Sequence, residues 1–127
     1  MSEYLGRLKH YANVEYQAVQ GNSAPVLASR MLQVSEGSLR IVLDERGKQW
    51  SSTGLAEWIR RQQLAGTKRA SILIGGANGH LPEVREAAQE VWSLSALTLQ
   101  HEMALLIFLE QIYRAYTILK GEPYHRG

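Results

Sequence analysis

The chain has 127 residues, 45% hydrophobic and 20% charged, a size and balance that fit one globular domain and leave little room for two. With no cysteine, disulfides, thiol nucleophiles and thiolate metal sites are excluded, and the expected location is cytoplasmic. A formal net charge of +2 permits contact with a polyanion without demanding it, and no run approaches the roughly 18 uncharged apolar residues of a membrane span.

The N-terminus lacks the basic-then-apolar pattern of a signal peptide. Residues Glu3 to Tyr11 read as a short helix, and Val14 to Val19 alternates as a strand with Val14, Tyr16 and Ala18 on one face. Ser23 is placed to cap a helix running to about Val34. Leu39-Arg40-Ile41-Val42-Leu43 is a compact apolar strand, closed by Asp44 and the turn-like Arg46-Gly47. Ser52 or Thr53 caps the next helix, whose apolar face carries Leu55, Trp58, Ile59 and Leu64. Ser71 to Ile74 is the clearest buried strand and runs into Gly75-Gly76-Ala77-Asn78-Gly79. Pro82 suits the first turn of a helix to about Glu90, and Leu94 to Leu99 is a short strand or an extended loop. His101 to Leu119 is the longest helix, apolar nearly all round at its middle.

Strands alternating with helices predict an α/β fold, a mostly parallel sheet covered on both faces. A helix apolar on every side in so small a chain needs more cover than one core supplies, so a homodimer built partly on residues 103 to 119 is expected.

The glycine run at 75–79 follows a buried strand and precedes a helix, where open α/β sheets bind ligands. It lacks the Lys-Ser/Thr of a P-loop and the glycine spacing of a dinucleotide fingerprint, and a plain tight turn explains it equally well. His10, His80, His101 and His125 form no zinc-like pair, so no metal is expected. Trp50, Trp58 and Trp92 read as core or as stacking platforms for bases, with core favoured for Trp58. Arg114, Lys120, Tyr124, His125 and Arg126 gather cations and donors at the chain's end. They read as a frayed terminus or as a clamp for an anionic or electron-rich group.

Four segments carry a resemblance. Leu73-Ile74-Gly75-Gly76-Ala77-Asn78-Gly79 resembles the Gly-rich loop of the RlmH family, the large-subunit ribosomal RNA pseudouridine N3-methyltransferases. Trp92-Ser93-Leu94-Ser95-Ala96-Leu97-Thr98-Leu99 and His101 are similar to the segment that follows it there. Glu110-Gln111-Ile112-Tyr113-Arg114-Ala115 and Pro123-Tyr124-His125-Arg126 are similar to the family's last helix and tail. Each is weak alone. In order and at family spacing they are specific, and the clear match runs from about Leu39 to the end.

The resemblance implies a SPOUT fold over residues 1–127, with a C-terminal trefoil knot within about 70–127 that encloses S-adenosylmethionine. It assigns Leu43, Gly75, Leu94, Ser95, Ala96, Leu97, Thr98 and Leu99 to the cofactor site. It implies methyl transfer to N3 of a pseudouridine in large-subunit ribosomal RNA, free or in the ribosome, by a homodimer. His125 and Arg126 are the candidates for the chemistry, with Arg114 and Tyr124 as positioning groups and His101 as a further candidate. The alternatives are a non-catalytic dimeric binding protein of the same fold, or a methyltransferase of another RNA. Relatives usually begin with an extra strand and a Gly-Lys loop, and carry a longer basic segment where this chain has Gln20 to Pro25. They also tend to place an Arg where this chain has Leu105, which implies either the loss of an interfacial or substrate contact or a greasier dimer interface here.

Overall fold

Alternating sidedness in the two apolar runs fixes what each strand buries. In a computed structural model, which describes residues 2–75 and 80–125, Leu39–Gln49 forms β1, Ala70–Ile74 forms β2 and Glu90–Ser93 forms β3. The three strands are hydrogen-bonded in the order β2-β1-β3, and both pairings are parallel. Ile41 packs into one buried cluster and Val42, its neighbour, into another on the opposite face.

Among the described residues five helices cover the sheet: α1 (Ser2–Leu8), α2 (Ala24–Val34), α3 (Ser52–Leu64), α4 (Pro82–Ala87) and α5 (His101–Lys120). Leu8, Leu55, Ile59, Leu105, Phe108 and Leu109 bring α1, α3 and α5 onto the Ile41 face. Ala28 and Val84 bring α2 and α4 onto the Val42 face. The expected parallel sheet covered on both faces is therefore present. Trp58 and Trp92 belong to the larger cluster, their rings edge-on at 4.7 Å, and both indole N–H groups donate to Glu90. Among the described residues no helix is long and apolar enough to cross a membrane.

Caps set the helix boundaries. Ser23 Oγ accepts from the Val26 amide, as expected, while α3 is capped by Ser51, whose Oγ accepts from the Gly54 amide at 3.0 Å, one residue earlier than expected. Helix α5 ends at Gly121, whose φ of 69° is left-handed, and the Glu122 amide returns to the Thr117 carbonyl at 2.9 Å.

Several elements depart from the expectation: α1 ends at Leu8, before Tyr11, and β3 lies at Glu90–Ser93, before Leu94. Residues 14–19 form no strand: Val14 packs on the core, but Tyr16 and Ala18 lie exposed. Alternation assigns side chains to faces; a strand also requires a neighbouring backbone to pair with, and neither described sheet edge supplies one here. Strand β1 does not stop at Asp44. It bulges, then resumes pairing with β3 at Lys48 and Gln49. Helix α4 ends at Ala87 because the Gln89 amide already bonds the Arg40 carbonyl at 3.0 Å, drawing the chain into β3. Leu105 is 5% exposed and packs in its own chain's core, so it adds nothing to an outer face.

Candidate functional site

Because all three strands run parallel, their carboxyl ends share one edge of the sheet. Leu43 is paired with Ile74 on one side and Trp92 on the other. The segments that start at Gly75 and Leu94 therefore leave the sheet on either side of Leu43. Ser93 Oγ bonds the Ser95 carbonyl at 2.9 Å, Ser95 Oγ accepts from the Leu97 amide at 3.0 Å, and Thr98 Oγ1 donates to Glu45 at 2.7 Å. These bonds shape residues 94–99 into a turn rather than a strand. Leu94 packs inward, while Ala96, Leu97 and Thr98 are exposed, Leu97 at 74%. An apolar rim beside backbone amides and carbonyls suits a flat heteroaromatic ring with polar edges, such as adenine.

The β1 bulge braces this edge. Asp44 accepts from the Arg46 amide at 2.9 Å and from its guanidinium at 3.0 and 3.1 Å. At Gly47 a Cβ would lie 2.6 Å from the Val91 carbonyl carbon, so only glycine lets β1 come this close to β3. His80 is buried, with Nε2 at 2.9 Å from the Leu73 carbonyl, and Arg85 donates to the His80 carbonyl at 2.7 Å. Burial pushes the His80 imidazole below its ordinary pKa, so it is neutral and Nε2–H is the donor. It ties the far end of the Gly-rich segment to β2. Gly76 to Gly79 themselves lie outside the described residues.

A second cluster forms at the other end of α5. After Gly121 the chain turns back along the helix, and Tyr124 OH reaches Glu110 at 2.9 Å. Glu110 also holds Arg114 at 2.8 Å, and the Arg114 guanidinium lies 5.0 Å from the centre of the Tyr124 ring. Arg114 Nη1 is 3.1 Å from His125 Nδ1. Arginine can only donate, so Nδ1 is the acceptor and the imidazole hydrogen sits on Nε2. Tyr4 OH, from α1, lies 3.5 Å from Tyr124 OH.

Three of the four tail candidates, Arg114, Tyr124 and His125, thus meet, and Arg126 lies outside the described residues. His101 is not with them; its Nε2 lies 3.4 Å from Tyr16 OH at the start of α5. Glu110, which joins the tail cluster, was missed. Its spacing of four from Arg114 on one helical face was a usable signal. Among the described residues no group of three or more His, Asp or Glu is placed to hold a metal.

Residues 1–125 match a family described as "Predicted SPOUT methyltransferase". The chain belongs to the SPOUT methyltransferase family. Three similar relatives each bear the name ribosomal RNA large subunit methyltransferase H. The protein from Deinococcus radiodurans is 42% identical over 98% of this chain and 86% of its own length. That from Gloeobacter violaceus is 40% identical over 99% and 87%, and that from Thermus thermophilus 40% over 99% and 85%. The SPOUT match starts at residue 1, so the likeness reaches well upstream of Leu39, where the sequence reading put its clear beginning. The N-terminal part of this SPOUT chain is family sequence too, with α1 placed to meet the tail through Tyr4.

Proposed function

We propose that this chain transfers the methyl group of S-adenosylmethionine to large-subunit ribosomal RNA, with N3 of a pseudouridine as the acceptor atom. The observation that carries the reading is about 40% identity, along nearly the whole chain, to relatives named for that class of substrate. The target atom comes from the resemblance of the Gly-rich loop and the tail. A single domain over residues 1–127, knotted within about 70–127, goes with it.

In this reading Leu43, Gly75 and residues 94–99 hold the cofactor at the carboxyl edge of the sheet. Leu94, Leu97 and Leu99 enclose the adenine, and loop amides and carbonyls bond its edge. S-adenosylmethionine supplies a methyl group on a sulfonium, already a good leaving group, so the protein's main task is alignment. The acceptor N3–H lies between two carbonyls and gives its proton to water as the bond from N3 to the methyl group forms. With the Nδ1 lone pair engaged, His125 presents Nε2–H beside the Arg114 cation. Together they form a donor set that stabilises the negative charge left on the base. Tyr124 and Glu110 fix the orientation of Arg114, and Arg126 continues the same cationic tail.

The reading also requires two copies. Helix α5 is 20 residues, about 30 Å long, with the cofactor loop before its first turn and Arg114 about 20 Å along it. One chain's tail does not reach its own loop. Met103, Ile107, Glu110 and Arg114 lie on one stripe of α5; Met103 is 49% exposed, and neither it nor Ile107 belongs to the core clusters. A second copy packed antiparallel on this stripe brings each tail to the other's cofactor loop.

The test is transfer of labelled methyl to ribosomes from cells lacking the modification, with mapping of the labelled nucleotide. The expected result is label on a large-subunit pseudouridine. His125→Ala and Arg114→Ala are expected to lower the rate by about 100-fold or more with cofactor affinity nearly unchanged. Absence of label with S-adenosylmethionine still bound contradicts the assigned substrate and favours a binding protein or another RNA. Full activity in both variants contradicts the role given to the tail.

A further inference from the structure

A groove of about 490 Å³ opens where the end of α1 meets the end of α5, lined by Arg7, His10, Tyr11, Tyr113, Lys120 and Glu122. That volume lies in the range of about 300–1,000 Å³ usual for small-ligand sites. None of these six side chains belongs to the cofactor edge or to the proposed reacting groups. We propose that the groove binds the substrate RNA one nucleotide away from the target, Arg7 and Lys120 holding a phosphate while the tyrosines stack on a base. The proposal rests on the reading of the chain as an RNA methyltransferase and names where that RNA lies.

The chemistry of the lining points to a nucleotide. Arg7 pairs with Glu3 on its outer side, and its guanidinium lies 5.5 Å from the centre of the Tyr113 ring and 5.8 Å from that of Tyr4. It is thereby fixed over aromatic faces but stays exposed, as do His10 and Lys120. Tyr11 stacks on Tyr116, centroids 5.4 Å apart and rings 12° from parallel, so its plane is set before any ligand arrives. The acidic member, Glu122, is exposed and its two oxygens share the single Tyr11 O–H, at 2.8 and 2.9 Å, which turns the carboxylate toward Tyr11. The exposed cations Arg7 and Lys120 stand beside ordered aromatic rings, Arg7 paired with Glu3 and the exposed Glu122 carboxylate turned toward Tyr11. This combination grips single-stranded nucleic acid by backbone charge and sequence-tolerant stacking.

Position gives the register. Tyr113 is shared between the groove and the tail cluster, its ring edge-on to Tyr124 at 4.7 Å. A base presented to Arg114 and His125 leaves its neighbour on the other side of Tyr113. The groove thus continues the active site along the strand.

The experiment uses the full chain, ribosomes lacking the modification, and Lys120→Glu, Lys120→Arg and Arg7→Gln variants. Methyl transfer and ribosome binding are measured across a salt series. Lys120→Glu is expected to raise the KM for ribosomes by about tenfold, with kcat and cofactor affinity within about twofold of the starting protein. The slope of log affinity against log salt should fall by about 0.7–0.9 for the lost phosphate contact. Lys120→Arg should keep both, and Arg7→Gln should repeat the loss. Because Arg7 also covers Tyr4 and Tyr113, its melting temperature is taken alongside, and the exposed Lys120 carries the test if Arg7→Gln is unstable. Unchanged KM and salt slope in Lys120→Glu overturn the proposal. So does a shift of that variant to a lighter sedimenting species, since the groove is then a contact between copies. In either case the unmodified chain still methylates ribosomes. If that chain neither binds nor methylates them, the functional reading falls and this proposal with it.

Discussion

Asp44 sits in the β1 bulge with three hydrogen bonds from Arg46, and those bonds hold its carboxyl down to about 2. A carboxylate depressed in the folded state stabilises it above the ordinary carboxylate range and loses that contribution as pH falls through the folded value. Asp44 is 8% exposed but the Arg46 side chain is 68% exposed, so solvent screens the pair and its contribution is on the order of 1 kcal/mol. Asp44→Asn keeps one oxygen for the Arg46 amide and removes the charge together with the oxygen that accepts from Arg46 Nη2. Urea unfolding of both proteins should show the variant less stable near neutral pH, with the gap closing between about pH 4 and pH 2. A gap that persists unchanged at the acid end contradicts this role. Sequence alone marked Asp44 as a strand terminator; nothing in its local spacing said that the chain would resume pairing at Lys48.

At the scale of elements, the β1–β3 pairing decides where the proposed cofactor loop begins. Gly47→Ala would set a methyl group 2.6 Å from the Val91 carbonyl, and backbone on both strands would have to move. A loss of about 1–3 kcal/mol is expected in chemical denaturation, together with weaker S-adenosylmethionine binding because residues 94–99 follow β3 directly. Unchanged stability would mean that β3 is free to shift away. Much of this architecture was legible. The apolar runs at 39–43 and 71–74 announced buried strands, and Ser23 announced the start of α2. The alternation at Val14, Tyr16 and Ala18 misled, because a pairing edge is a tertiary fact that no period records. The placement of β3 at Glu90–Ser93 was missed for a similar reason: four residues carry too little pattern to mark their own ends.

At the scale of the whole molecule, α5 separates the two halves of the proposed site. The tail residues Arg114, Tyr124 and His125 were legible from their resemblance and do converge. Their distance from the loop at 94–99 was not, since it follows from the helix between them running unbroken over 20 residues. Ile107→Glu places a charge on the stripe assigned to the partner while leaving the buried side of α5 alone. It is expected to yield a folded monomer in sedimentation, with cofactor binding weakened and methyl transfer lost. A monomer that retains full activity contradicts the two-copy site.

The measurement that bears most directly on the account is complementation between two inactive chains, one His125→Ala and the other Leu97→Glu. If each site joins the tail of one copy to the cofactor loop of the other, mixed dimers contain one site built wholly from unaltered parts. Equal mixing and subunit exchange should then restore about a quarter of the full methyl transfer to ribosomes, where each variant alone gives almost none. A mixture that stays as inactive as its components, although exchange is verified, places both residues in the same chain's site and contradicts the account.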